Sequence, residues 1–228
     1  MESINSIVHL GDCLEAMKQY PDKYFDLAVV DPPYGIGESG KTNKTRSKLA
    51  KAKDYGNKNW DISSPPAEYF SELLRVSKNQ IVFGANHFIS KIPYDSSCWI
   101  IWDKVNGDTD FADCELAWTS FKTAVRQVTF MWHGFMQGSD TNGKMQGDKR
   151  LNEKRIHPTQ KPIKLYDWIF KNYATEGMKI LDTHVGSGSS RISAYKAKLD
   201  FTGYEIDLDY WTAQEKRFKE YKSQLKMF

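Results

Sequence analysis

The sequence predicts a doubly wound α/β domain with a mostly parallel sheet, and three observations carry that prediction. Apolar runs of strand length alternate with segments of helical period, the order expected of successive βαβ units. The run Phe25–Val30 ends abruptly in Asp31-Pro32-Pro33-Tyr34-Gly35, as a buried parallel strand does when it delivers a rigid loop. Near the other end, a strand Lys179–Asp182, a glycine turn at Gly186-Ser187-Gly188, a helix to about Lys198 and a strand 201–204 closing at Glu205 form one complete unit.

The remaining elements follow in chain order. A short strand over 4–10 meets a turn at Gly11-Asp12 and an amphipathic helix carrying Leu14 and Met17 on one face, which stops at Pro21. Ser64-Pro65 opens a helix with Tyr69, Phe70, Leu73 and Leu74 inward, followed by a strand over 80–83. Strands are expected at 98–102, 115–119 and 127–132. Residues 134–155 are polar and aperiodic, a long loop or small insertion. A helix after Pro162 places Leu165, Trp168 and Ile169 on one face, and an amphipathic helix over about 209–225 ends the pattern.

At 228 residues and 40% hydrophobic content the chain suits one α/β core with one insertion, and disorder is excluded. No apolar run is long enough to span a bilayer and the first residues lack signal-peptide blocks, so a soluble, cytoplasmic protein without membrane partners is expected. Cys13, Cys98 and Cys114 are odd in number and widely spaced, and the five histidines form no ligand pair; neither disulfides nor a metal is expected. Net charge is only +3, but seven basic residues against two acidic ones fall between Glu38 and Trp60. By itself that basic loop, 38–60, reads equally as a solvated mobile segment.

Two constellations carry chemistry. Glu205 lies 17 residues beyond Gly188 at the end of the next strand, where a doubly wound sheet sets an acid against ribose hydroxyls. The third glycine of a dinucleotide fingerprint and a phosphate-binding lysine are both missing, which leaves a phosphate-free adenosine ligand or a plain strand–helix turn. The string Asp31-Pro32-Pro33-Tyr34 should arise by chance in a chain of this length on the order of once per thousand. An aromatic exocyclic amine is a poor nucleophile because its lone pair is delocalised. Hydrogen bonds from it to the Asp31 carboxylate and the Pro32 carbonyl localise that pair, and Pro32 and Pro33 hold the acceptors rigid. Tyr34 is placed to stack on the base, which must leave the duplex to reach such a pocket.

The whole chain resembles the beta-order group of DNA amino-methyltransferases, in which the catalytic half precedes the cofactor half by circular permutation. The resemblance runs through Gly11-Asp12-Cys13, Asp31 to Tyr34, Ile81-Val82-Phe83-Gly84-Ala85-Asn86-His87-Phe88, Trp99-Ile100-Ile101-Trp102-Asp103-Lys104, His157-Pro158-Thr159-Gln160-Lys161-Pro162, Asp182 to Gly188, and Glu205. It implies the fold of S-adenosylmethionine-dependent methyltransferases with permuted motif order: a catalytic half over 1–120, a short target-recognition region over 121–156 and a cofactor half over 157–228. It implies S-adenosylmethionine as cofactor, with Asp12 and the adjacent Cys13 at its adenine, Glu205 at its ribose, and Asp182 with Gly186, Ser187 and Gly188 at its methionine end. Thr159 and Lys161 are implied to hold the methionine carboxylate. Where the family commonly has Pro-Phe after the motif aspartate, this chain has Thr183-His184, and His184 is expected to lie against the cofactor adenine in place of the phenylalanine.

The implied reaction is direct methyl transfer to N6 of adenine in a short double-stranded DNA site. Within the family an aspartate in the first motif position favours adenine, whereas serine is commoner for N4 of cytosine; RNA or a protein amide are further alternatives, as is a DNA-binding protein without activity. Lys41, Lys44, Arg46, Lys48, Lys51 and Lys53 adjoin the catalytic loop and are expected to contact DNA phosphates or close over the flipped base, while Arg126 and Arg150 in the recognition region are suited to base readout. A homodimer and a cognate restriction endonuclease are both compatible with the sequence, which encodes neither the target site nor the oligomeric state.

Overall fold

In a computed structural model, residues 4–37, 58, 60–106, 112–133 and 136–225 are described. They build an eight-stranded sheet in the order β1-β10-β9-β2-β3-β5-β4-β6. The strands are β1 (Ser6–Leu10), β2 (Phe25–Val30), β3 (Ser77–Phe83), β4 (Trp99–Asp103), β5 (Cys114–Thr119), β6 (Arg126–Thr129), β9 (Lys179–Asp182) and β10 (Asp200–Glu205); β7 (Trp132–His133) and β8 (Met136–Gln137) form a separate ribbon. From β1 through β3 every pairing is parallel, and only β5 runs against its neighbours. The fold is therefore the expected doubly wound, mostly parallel one, with strands from the end of the chain inserted between β1 and β2.

Parallel strands buried on both faces need apolar side chains at consecutive positions, and β2 supplies them. Leu27 and Val29 join the core on one face, packed with Leu165, Ile169 and Phe170 of helix α3 (Ile163–Tyr173). Ala28 and Val30 join the other, with Tyr69, Phe70 and Leu73 of helix α2 (Ala67–Val76) and Met17 of helix α1 (Cys13–Met17). Helix α4 (Ser189–Lys196) packs beside α3, and α5 (Leu208–Leu225) follows β10. No helix among the described residues is long and apolar enough to cross a membrane.

Several element boundaries differ from the sequence reading for local reasons. Helix α2 starts at Ala67 with Pro66 as its N-cap, and Ser77 turns extended immediately after it, so β3 begins three residues before Gln80. Val76 joins the buried face of α2, against which Leu74 packs half-buried, and Tyr166 and Phe170 join that of α3, against which Trp168 packs half-buried. The strand expected over 127–132 stops at Thr129, because Trp132 and His133 pair instead with Met136 and Gln137. Within the polar stretch 134–155 the described part has this ribbon and a 3-10 turn, Lys149–Leu151.

The chain progresses from β2 to β3 on one side and from β9 through β10 towards β1 on the other. A crevice must open where these directions diverge, between the carboxyl ends of β2 and β9. Asp31 follows β2 there and Asp182 closes β9. Because β5 is antiparallel to β3, with Phe83 opposite Ala117, its first residues Cys114 and Glu115 reach the same edge, as does Lys104 after β4.

Candidate active site

A cleft of about 270 Å³ lies along this edge. Its walls come from the loops after β1 (Gly11, Asp12, Cys13), β2 (Asp31, Pro33), β9 (Thr183 to Ser187) and β10 (Glu205, Ile206), with Thr159 and Lys161 before α3. The motifs at Gly11 to Cys13, Asp31 to Tyr34, His157 to Pro162, Asp182 to Gly188 and Glu205 thus contribute to one cavity, whereas those at Ile81 to Phe88 and Trp99 to Lys104 do not line it. Pro32, Tyr34, Asp182 and Gly188 do not line it.

Local structure explains each placement. Asp12 caps α1, its Oδ1 accepting from the backbone N–H of Leu14 at 2.7 Å and Glu15 at 3.2 Å. Gly186 has a φ of +51°, which turns its N–H onto Glu205 Oε2 at 2.8 Å, while Glu205 Oε1 accepts from Asp207 N at 2.9 Å. Glu205 itself lines the cleft. Gly188 adjoins Gln214, where a Cβ would come within 3.2 Å. Asp182 lies behind the loop, accepting from Ser190 Oγ at 2.5 Å and His184 N at 3.0 Å. It shapes the cleft wall and does not face into it.

His184 does line the cleft. Its ring meets Tyr69 edge-on at 5.6 Å, and its Nδ1 lies 2.9 Å from Thr183 Oγ1. Burial drives its pKa down to about 4, so the ring is a neutral, planar surface at pH 7. Cys13 stands 3.9 Å from His184 Nε2, with its thiol pushed up to about 12 by burial and by the Asp12 charge.

Behind Asp31 is a buried chain of charges. Lys161 Nζ lies 2.5 Å from Asp31 Oδ2 and 3.0 Å from Glu115 Oε2, and Lys104 Nζ lies 2.5 Å from Glu115 Oε1. Tyr34 donates its hydroxyl to Asp31 Oδ1 at 2.8 Å and accepts from Lys161 at 3.2 Å. Burial raises the Asp31 carboxyl; the Lys161 ammonium only partly offsets this, and the Glu115 charge adds to it. Glu115 is buried too, but Lys161 and then Lys104 bring it down to about 2. Its carboxylate keeps Lys161 protonated together with Asp31. The family resemblance assigns Lys161 to a ligand carboxylate; it lines the cleft and its ammonium meets two protein carboxylates, while Thr159 Oγ1 lies 3.2 Å from His157 Nδ1.

Tyr34 is also committed within the protein. Its ring stacks on His87 at 4.9 Å and 15°, and it passes so close to Gly84 that a Cβ there would stand 2.0 Å from Tyr34 Cε1.

The sequence reading missed Glu115, Trp60, His157 and Tyr210 as parts of the site. The last three form an aromatic wall: Trp60 lies 5.2 Å and Tyr210 4.2 Å from the His157 ring, all lining the cleft. Burial and the Lys161 charge hold His157 down at about 3. Lys58 ties the end of the basic segment to the start of α5 through Asp207 at 2.8 Å and Asp209 at 2.6 Å. A charged residue in the apolar run Cys114–Thr119 was the available signal for Glu115.

Lys41, Lys44, Arg46, Lys48, Lys51 and Lys53 fall outside the described residues. Arg150 is exposed and ion-paired with Asp148 at 2.7 Å. Arg126 pairs in register with Ile100 near the start of β4, towards the sheet edge opposite the cleft, which separates it from Asp31.

Residues 101–216 match the model of the N6/N4 methyltransferase family, described as DNA methylase, and the chain belongs to that family. It is 26% identical to the type II methyltransferase M.HinfI of Haemophilus influenzae, over 97% of this chain and 71% of that one. The structure of the M1.HpyAVI–SAM complex superposes with a TM-score of 0.58 at 20% identity, covering 92% of this chain and 98% of that one. The cytosine-N4-specific PvuII DNA methyltransferase gives 0.57 at 16%, covering 94% and 86%. At these identities the solved structures establish likeness of fold.

Two outcomes follow from the geometry. Gly84→Ala combines a φ of +67° with a clash against Tyr34, so it should cost about 2–4 kcal/mol in urea denaturation. Asp182, pushed by burial up to about 7, holds a proton in the folded state that the unfolded chain releases near pH 4. Its contribution to stability is therefore fully present below pH 4 and lost as pH rises towards 7. Asp182→Asn should flatten the decline in stability between pH 5 and 8, read from denaturation midpoints across that range.

Proposed function

We propose that this DNA methylase uses S-adenosylmethionine to methylate the N6 amine of an adenine swung out of double-stranded DNA. One observation carries the reading: Asp31, on a proline-held loop, lines the same cleft as the adenosine-type residues Asp12, His184, Gly186 and Glu205. Acceptor and cofactor pocket are thus a single cavity, as an in-line transfer requires.

The cleft's chemistry fits that cofactor. Asp12 and Glu205 offer carboxylates to the adenine amine and ribose hydroxyls, His184 a neutral ring, and Trp60 an aromatic face with a buried Nε1–H that has no hydrogen-bond partner among the described residues. The loop from Gly186 to Gly188 offers close backbone approach, and Thr159 with Lys161 polar groups at its other side. The bound cofactor supplies a sulfonium methyl, an electrophile that an uncharged amine can attack. Likeness to M1.HpyAVI, solved with S-adenosylmethionine, supports this choice.

Asp31 and the Pro32 carbonyl accept hydrogen bonds from the exocyclic amine, drawing its nitrogen towards tetrahedral geometry. The nitrogen lone pair so localised would take the methyl group that the bound cofactor supplies, with the electrons of the carbon–sulfur bond leaving on sulfur. The nitrogen, briefly cationic and strongly acidic, then passes its proton to Asp31 or to water. For Tyr34 to stack on the base it must leave its contacts with His87 and Asp31, or the base must use the ring face these leave open.

Aspartate as the first motif residue supports adenine; the likeness to the cytosine-N4-specific PvuII enzyme sustains N4 of cytosine as a second reading. The Lys41 to Lys53 segment is proposed to neutralise phosphates beside the cleft, anchored at its end by Lys58 on Asp207 and Asp209.

Incubation with methyl-labelled cofactor and duplex DNA, followed by nucleoside digestion, should place the label in N6-methyladenine; label in 4-methylcytosine would reverse the base assignment. Asp31→Ala should lower turnover by at least about 10²–10³-fold with cofactor binding retained. Replacing Lys48, Lys51 and Lys53 together with alanine should weaken DNA binding and flatten the slope of log affinity against log salt; an unchanged slope would remove these residues from the interface.

A further inference from the structure

The charge cluster behind the cleft contains a carboxylate that methyl transfer as described does not use. Glu115 stands in β5 and lines no part of the cavity, yet it is the hub of the sequence Lys104, Glu115, Lys161, Asp31, in which each charge touches the next of opposite sign. The chain leads from the end of β4, across β5 and the segment before α3, to the acceptor loop after β2. Among the described residues Tyr34 is the remaining polar contact of Asp31, and Asp182 and Tyr166 are near enough to feel its charge.

A lysine facing a single carboxylate at 2.5 Å in a buried setting makes that carboxylate a weak acceptor and a weak base, because the ammonium already satisfies its charge. Here the ammonium is divided. Glu115 draws on Lys161 from the other side, and its own ionised form is secured by Lys104, so the second carboxylate does not itself take up the proton. The Lys161 ammonium also lies over the Phe83 ring at 4.8 Å and the Tyr34 ring at 5.6 Å.

We propose that Glu115 is a positioning residue for the acceptor Asp31, acting through Lys161: by sharing the lysine it leaves Asp31 incompletely neutralised and so a stronger acceptor for the incoming amine. The inference rests on the reading of Asp31 as that acceptor. Lys104 is its counterweight, limiting how far Glu115 pulls the lysine away. The two partners should therefore act on Asp31 with opposite sign, which a purely packing role would not produce.

The test reads Asp31 directly. In cofactor-free protein, carboxyl carbon NMR follows the Asp31 titration, with the signal identified by its loss in Asp31→Asn. Glu115→Gln removes a neighbouring negative charge, which favours the ionised Asp31, and should lower its midpoint by about one pH unit. Lys104→Met leaves Glu115 leaning wholly on Lys161 and should raise the midpoint by a similar amount. In single-turnover methylation of plasmid DNA the acid limb should shift in the same directions, with the plateau rate of Glu115→Gln lower by about tenfold and cofactor affinity, read by tryptophan fluorescence, changed by less than about twofold. Midpoints that stay in place in both variants, whatever their melting temperatures, would overturn the proposal. If Glu115→Gln does not fold, the direction of the Lys104→Met shift decides it alone. Absence of label in DNA amines would sink the substrate reading and leave the titration standing, so the two failures are distinct.

Discussion

The buried ammonium of Lys161 is the constraint around which the catalytic edge is organised. An ammonium taken out of water costs several kcal/mol unless opposite charges and hydrogen bonds meet it. Lys161 is only 5% exposed, so its partners must be delivered to it by the fold. Asp31 comes from the end of β2, Glu115 from the start of β5 and Lys104 from beyond β4, elements far apart in the chain that share one sheet edge. Misplacing any of these strands strands a charge, which ties correct sheet assembly to correct assembly of the site.

The backbone fixes the rest of the geometry. Pro32 and Pro33 cannot continue the β2 ladder, so the chain leaves the sheet as soon as Val30 is buried and carries Asp31 to the cleft. Gly84, in the left-handed region, leaves the volume that the Tyr34 ring occupies, and Tyr34 in turn holds Asp31 Oδ1. Gly186 turns its N–H onto Glu205, linking the loops after β9 and β10. Rigid acceptors and a preformed wall are what a reaction dependent on orientation needs.

Four of the motif residues that line the cavity lie where parallel strands end. Asp12, Asp31, Gly186 and Glu205 each stand within a few residues of a strand carboxyl end, and the apolar runs that predict those strands are the strongest signals in the chain. Less of the electrostatic environment was legible. No sequence signal shows that Lys161 meets two protein carboxylates, or that Asp182 accepts from Ser190 and the His184 backbone. Arg126 was chosen for the chemistry of its side chain, and the parallel register of β6 with β4 sets it towards the opposite edge.

What the sequence by itself determined was the succession of strands and helices, the permuted order of acceptor loop before glycine loop, and the residue types at each strand end. These are local properties, set by side-chain periodicity and by the restrictions that proline and glycine impose on the backbone. Only the tertiary structure decided which of the charged residues meet. The reversal of β5 brings Glu115 to Lys161, and Trp60 and, from α5, Tyr210 meet on the His157 ring to build the aromatic wall. Such contacts join residues of high sequence separation, and no periodicity encodes them; they follow from strand order and direction, which burial of both sheet faces selects.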